Sequence, residues 1–131
     1  MTLTMYVPRG QFEEYKRRLK QQLLWCIFYR EKEFEKGESS DTLETYFQTL
    51  LDRMQAMNEL LSHPSELLGV IELLEAAKEL YDDDVELGYN FPTVHYLRYR
   101  KYILDARALV DAIPYPGVES DGDDDADDDC E

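Results

Sequence analysis

The sequence predicts an all-α fold: four main helices packed bundle-like in a single domain, with an extended N-terminal arm and a disordered acidic C-terminal tail. Three observations predict it. Four stretches carry apolar residues at helical steps of three and four. Residues that start or stop helices separate those stretches. The chain has 131 residues, 44% of them hydrophobic, which suits one domain with one core and is too short for two comfortable ones. The expected boundaries are an arm at residues 1–10, a helical domain at 11–113 and a tail at 114–131.

The arm holds Thr2, Thr4, Val7, Pro8 and Gly10 and reads as extended. From about Gln11 to Lys36, Phe12, Tyr15, Leu19, Leu23, Cys26, Ile27 and Phe34 recur at mostly helical spacing. The middle of this stretch, Leu23 to Tyr29, is apolar all round, so periodicity alone fits a buried strand equally well. Charged helix formers on both sides, Arg17-Arg18 and Glu31-Lys32-Glu33, favour a helix. Gly37 should end it.

Asp41 has the chemistry of an N-cap, with Glu44 completing a capping-box-like pair. The second helix should run to about Leu61, burying Leu43, Tyr46, Phe47, Leu50, Leu51, Met54, Met57, Leu60 and Leu61. Ser62-His63-Pro64 breaks the pattern, and Pro64 suits the first turn of a third helix. That helix offers Leu67, Leu68, Val70, Ile71, Leu74, Ala77, Leu80 and Tyr81 to the core, and Gly69 permits close approach of a neighbour. Asp82-Asp83-Asp84 would end it unfavourably, since anions at a C-terminus oppose the helix dipole.

Gly88, Asn90 and Pro92 mark the next connection. The fourth helix, about Thr93 to Ile113, has one stripe of Tyr96, Tyr99, Ile103, Ala106, Val110 and Ile113, widened by Leu97, Leu104 and Ala108. Pro114-Tyr115-Pro116-Gly117 should terminate it. Val118 to Glu131 then has acidic low-complexity composition.

The formal net charge of −15 is unevenly placed. Residues 1–36 carry eight basic and five acidic side chains, residues 37–92 two basic and thirteen acidic, and the last eighteen residues nine acidic and no basic. An acidic surface is repelled by the outside of a duplex and by an anionic bilayer, which disfavours both as main partners. No apolar run approaches the roughly 18 residues of a membrane span, and Met1 to Gly10 does not read as a secretion signal. Cys26 in an apolar run and Cys130 near the end read as one buried and one exposed thiol in a reducing compartment. A cytoplasmic or otherwise intracellular location is expected.

The residue types for chemistry are sparse. His63 and His95 lie far apart without helix-spaced co-ligands, so the sequence points to no metal, no cofactor and no catalytic residue. His63 should cover the helix break and His95 should open the fourth helix near solvent. Asp82, Asp84 and Glu86 alternate as in a calcium loop, but Leu87 stands where an EF-hand needs glycine and Thr93 where it needs a bidentate acid. Arg98, Arg100 and Lys101 interleave with tyrosines as on single-strand nucleic-acid surfaces, or pair with carboxylates of the acidic hairpin.

The function that follows is that of a small acidic non-enzymatic binding protein of the inhibitor or DNA-mimic type. Its partner is a basic protein, a class that includes nucleic-acid-binding proteins. The expected contact residues are Glu66, Glu72, Glu75, Glu79, Asp82, Asp83, Asp84 and Glu86 on the hairpin, and Trp25, Phe28 and Tyr29 on the aromatic segment. Between Asp41 and Glu86 twelve carboxylates face two cations. Spread over two antiparallel helices this is about 3 Å of axis per net charge, against about 1.7 Å for duplex DNA. Two other readings stand beside it: an assembly subunit that forms a homo-oligomer or larger complex through the aromatic helix, and a weak nucleic-acid binder using the first and fourth helices. Direct nucleic-acid binding is the less favoured of these on charge.

Overall fold

The computed structural model describes residues 8–115. Val7 and the residues before it, the acidic run from Pro116 onward and Cys130 lie outside the described residues, as does the expected disorder of the tail. The described chain forms four helices, α1 (Arg9–Lys36), α2 (Asp41–Leu60), α3 (Ser65–Glu86) and α4 (Val94–Val110). No strand occurs among the described residues.

Ring and hydrogen-bond contacts give the arrangement. Tyr46 of α2 meets Tyr29 of α1, Phe47 meets Tyr81 of α3, Tyr81 meets Tyr99 of α4, and the Tyr99 hydroxyl donates to the Cys26 carbonyl of α1 at 2.6 Å. The helices thus form an up-and-down ring in which each packs on the next, the commonest outcome when antiparallel helices share short links. Packing is most extensive between α3 and α4. Gly69 contributes to it: a Cβ there would come within 2.8 Å of Leu109 Cδ2, so any other residue would require that leucine side chain to shift.

Several boundaries differ from the sequence reading. Helix α1 starts at Arg9, so two residues assigned to the arm are helical. Leu23 to Tyr29 is helix, with Leu23, Cys26 and Ile27 buried and Trp25 and Phe28 exposed. Gly37 ends α1 at φ 74°, its amide reaching the Glu33 and Phe34 carbonyls. The N-cap of α2 is Ser40, not Asp41, and no side chain caps that helix. The cause is buried Glu33, which takes both the amide and the hydroxyl of Ser40, at 3.0 and 3.3 Å. Asp41 and Glu44 instead lie in the first turn, where the helix dipole favours anions.

Pro64 likewise precedes α3 as its N-cap residue, with Ser65 as the first helical position. The break before it is sharper than a proline alone requires, since Ser62 and His63 both adopt left-handed backbone, at φ 66° and 61°. The His63 amide there caps the Asn58 carbonyl at 2.7 Å, in line with a role in covering the break. Helix α3 does not end in Asp82-Asp83-Asp84 but runs through Glu86.

On the core faces, Leu60, Leu68 and Leu97 were expected inside but are 49%, 46% and 63% exposed, each sitting at the edge of its helix's apolar stripe. Ala108, expected to widen the α4 stripe, is exposed as well, while Tyr96, Tyr99, Ile103, Ala106, Val110 and Ile113 of the stripe itself are buried. Ile113 packs after the helix has ended, and the Tyr115 ring packs tilted against Phe12 and under Arg9, so the body extends two residues into the predicted tail.

Tyrosine fills much of this interior. Burial pushes Tyr15 and Tyr46 up to about 12 from an ordinary 10, and raises Tyr81, Tyr96 and Tyr99 as well, with the Glu33 and Glu31 carboxylates adding to the effect at Tyr81 and Tyr96. The folded state holds these protons more tightly than the unfolded chain, whose tyrosines ionise near 10. The stability they contribute is therefore complete below pH 10 and lost as pH rises through the folded values. An alkaline titration should give an early tyrosinate phase from accessible rings, then a second, cooperative phase coincident with loss of helix. A single phase near pH 10 with the helix signal intact would contradict this packing.

Candidate binding faces

The acidic face is built on α3. At about 100° per residue, Glu72, Glu75, Glu79, Asp82, Asp83 and Glu86 fall within an arc of roughly 100°, opposite the buried stripe of Leu67, Val70, Leu74, Ala77 and Tyr81. All six are exposed. They extend over about 21 Å of helix, roughly 4 Å of axis per carboxylate, close to the 3.4 Å per phosphate along one nucleic-acid strand. Lys78 offsets one of them, with Nζ 2.8 Å from Asp82 Oδ2.

Helix α2 continues the face. Glu72, Glu75, Glu79 and Asp82 line a groove of about 650 Å3 whose other wall is Gln48, Leu51 and Gln55. Gln48 also borders a smaller hollow with Asp41 and Glu44, and its amide donates to Asp52 at 3.0 Å. The carboxylates of both helices thus adjoin across uncharged glutamines. By helix, α2 carries four acidic and one basic side chain and α3 eight and one, whereas α1 carries eight basic and five acidic and α4 four and one. The bundle is electrostatically two-sided.

The cations of α4 do not neutralise this face. Lys101 pairs with Asp105 of its own helix at 2.8 Å, and no arginine or lysine of α4 pairs with a carboxylate of α2 or α3 among the described residues.

Two of the expected acidic contacts are elsewhere. Asp84 is only 2% exposed, because its position on α3 falls on the buried side. Its Oδ2 accepts the Thr93 hydroxyl at 2.9 Å, and its Oδ1 lies 3.0 Å from His95 Nδ1. Thr93 in turn caps α4 by accepting the Tyr96 amide. A carboxylate that read as surface charge therefore organises the start of the next helix. His95 is correspondingly tied to α3 and not simply turned to solvent. Glu66 is half-buried in the first turn of α3, off the acidic arc.

A second buried polar cluster lies at the same end of the bundle. Arg30, 2% exposed, donates to Glu33 Oε1 at 2.8 Å, to the Tyr89 carbonyl at 2.8 Å and to Asn90 Oδ1 at 3.3 Å, with its guanidinium against the Phe34 and Tyr81 rings. Glu33 also accepts the Tyr81 hydroxyl at 3.1 Å. The Tyr89 amide donates to the Asp84 carbonyl at 2.8 Å. The link from α3 to α4 is thereby fixed from beneath by two helices.

That fixed link carries an apolar surface the sequence reading did not single out. Leu87, Tyr89, Phe91, Val94 and Leu97 are 58%, 41%, 55%, 62% and 63% exposed, and the Tyr89 and Phe91 rings lie 5.5 Å apart. The available signal was composition: a connection between Gly88 and Pro92 that holds aromatic residues where polar ones are usual. Of the aromatic segment in α1, Trp25 and Phe28 are 42% and 49% exposed and edge-on to each other, whereas Tyr29 is half-buried against Tyr46. Trp25 and Phe28 are the more exposed two of the three.

No family model matches the chain, and no curated protein or solved structure matches it at a significant level. No helix among the described residues is long and apolar enough to cross a membrane. No group of three or more histidine, cysteine or acidic side chains among them is placed to hold a metal ion.

Proposed function

We propose that the protein is a non-enzymatic binding protein that occupies a basic surface of a partner protein, of the kind otherwise used to hold nucleic acid. The observation that carries this reading is the convergence of Glu72, Glu75, Glu79, Asp82, Asp83 and Glu86 on one exposed arc of α3. Charge at nearly the linear density of a nucleic-acid strand, on a rigid helix, presents a basic groove with the field it is built to receive. The adjoining Leu87, Tyr89 and Phe91 add what charge alone lacks. Apolar and aromatic side chains on a pinned link lose little entropy on docking and exclude water at the centre of a contact, with carboxylates as its rim.

The test is a comparison of two proteins. Glu72, Glu75 and Glu79 are exposed, so changing all three to glutamine should leave helix content and melting unchanged. Partners captured by the wild-type protein and identified by mass spectrometry should be basic proteins. They should be lost from the triple variant, with affinity reduced about tenfold or more and binding to the wild type weakening steeply as salt rises. Capture that is insensitive to salt and equal for both proteins would sink the proposal and shift attention to Trp25 and Phe28.

A further inference from the structure

On the other side of α2 lies a groove of different chemistry. It runs between the N-terminal half of α1 and the C-terminal half of α2, holds about 320 Å3, and includes Tyr15, Leu50, Met57 and Leu60 with Arg18 and Arg53. Seams between neighbouring helices are normally filled to crystal-like density, so an open volume at the lower end of the ligand-site range is a feature to be explained. Three observations say what suits it. The first is charge: both charged groups at the groove are arginines and no carboxylate lines it, in a protein of net charge −15. Arg53 has no ion pair among the described residues, and Arg18 only a 3.2 Å contact to exposed Glu14. The second is an unsatisfied donor: the Tyr15 hydroxyl is sealed from water and has no hydrogen-bond partner among the described residues. The third is shape. The groove runs along about two turns of α1 and three of α2, so its 320 Å3 is spread over about 15 Å and leaves a channel far narrower than a helix with its side chains, about 10 Å across. An extended alkyl chain is narrow enough, and methionine lining adapts to such a guest.

We propose that this seam binds a single-chain anionic amphiphile of the long-chain carboxylate class, its alkyl chain between α1 and α2 and its carboxylate held by Arg18 and Arg53. A head group that reaches the Tyr15 hydroxyl must displace the side chains that now seal it from water, and in return supplies the acceptor it lacks. This site is independent of the acidic face, because Gln48, Gln55 and the α3 carboxylates lie on the opposite side of α2.

Calorimetric titration of the full-length chain with decanoate, dodecanoate and tetradecanoate, each below its micelle concentration, tests it. Affinity should rise roughly three- to fourfold per methylene and level off when the groove is full. Changing Arg18 and Arg53, both exposed, to glutamine should weaken dodecanoate at least tenfold while leaving dodecanol within about twofold. Met57→Trp, which fills the seam, should abolish binding of both, with unchanged circular dichroism as the check on folding. Three outcomes overturn the proposal. One is the absence of binding at every chain length. Another is binding indifferent to both sets of substitutions, which would place the ligand on the exposed apolar link. The last is binding only after removal of residues 1–7, which would make the chain's own N-terminus the occupant.

Discussion

Replacing Arg30 with alanine is expected to destabilise the protein by about 3–5 kcal/mol, the usual cost of leaving one partner of a buried ion pair alone. The pair is nearly sealed, with side chains 2% and 5% exposed at 2.8 Å. Removing the guanidinium would strand the Glu33 carboxylate and also free the Tyr89 carbonyl and the Asn90 side chain that it holds. Substituting both members by apolar residues, Arg30→Met with Glu33→Leu, avoids the stranded charge but leaves Ser40 and the Tyr81 hydroxyl without their acceptor. That double variant should still lose about 1–3 kcal/mol for each buried polar group left unpaired. Urea unfolding followed by circular dichroism measures both. A loss below about 1 kcal/mol for the alanine variant would mean that water or rearrangement satisfies Glu33 readily.

Phe47→Ala is expected to cost a similar amount, about 3–5 kcal/mol, and Gln48→Ala next to it less than about 0.5 kcal/mol. Phe47 is fully buried, its ring 5.7 Å from Tyr81 and 5.9 Å from Tyr99, so it ties α2 to both α3 and α4. Gln48 is exposed and bonds only its helical neighbour Asp52. Because the two residues adjoin, the comparison isolates burial from helix propensity. Hydrogen exchange on Phe47→Ala should show α2 losing protection before α3 and α4. Equal losses at the two positions would indicate that the helix is rotated from the orientation described.

The helices were legible because burial of apolar side chains leaves a period in the sequence, and Leu43, Phe47, Leu50 and Met54 of α2 or Tyr96, Tyr99 and Ile103 of α4 keep that period without exception. Gly37 and Gly69 were legible for a related reason, since a left-handed stop and a close approach both select against a Cβ. Polar residues carry no such mark. Asp84 read as a contact residue and nothing marked Arg30 or Glu33 as interior, because a charge is usually solvated; what makes all three interior is a set of partners brought together from other helices. The shift of the α2 cap from Asp41 to Ser40 follows from that same hidden carboxylate. The spacing of Glu72, Glu75, Glu79, Asp82 and Glu86 is compatible with one side of α3, but the sequence reading did not establish that the hairpin carboxylates share a side. Their common exposure and the pinned apolar link beside them required the fold.

The placement of the buried charges has a mechanical consequence. Arg30, Glu33 and Asp84 join the C-terminal ends of α1 and α3 to the links that follow them, so they stitch together one margin of the bundle. At the opposite margin the α2 to α3 turn is formed by Ser62 and His63 in left-handed backbone, and buried Asn58 beside it keeps a side-chain oxygen without a partner among the described residues. The two margins are therefore secured by different means: the link that presents Tyr89 and Phe91 is braced by charged side chains from two helices, whereas the turn after α2 rests on backbone hydrogen bonds from Leu61, Ser62 and His63 and on the buried side chain of Leu61. A substitution that removes one charge thus threatens the first margin, and one that forbids left-handed backbone threatens the second.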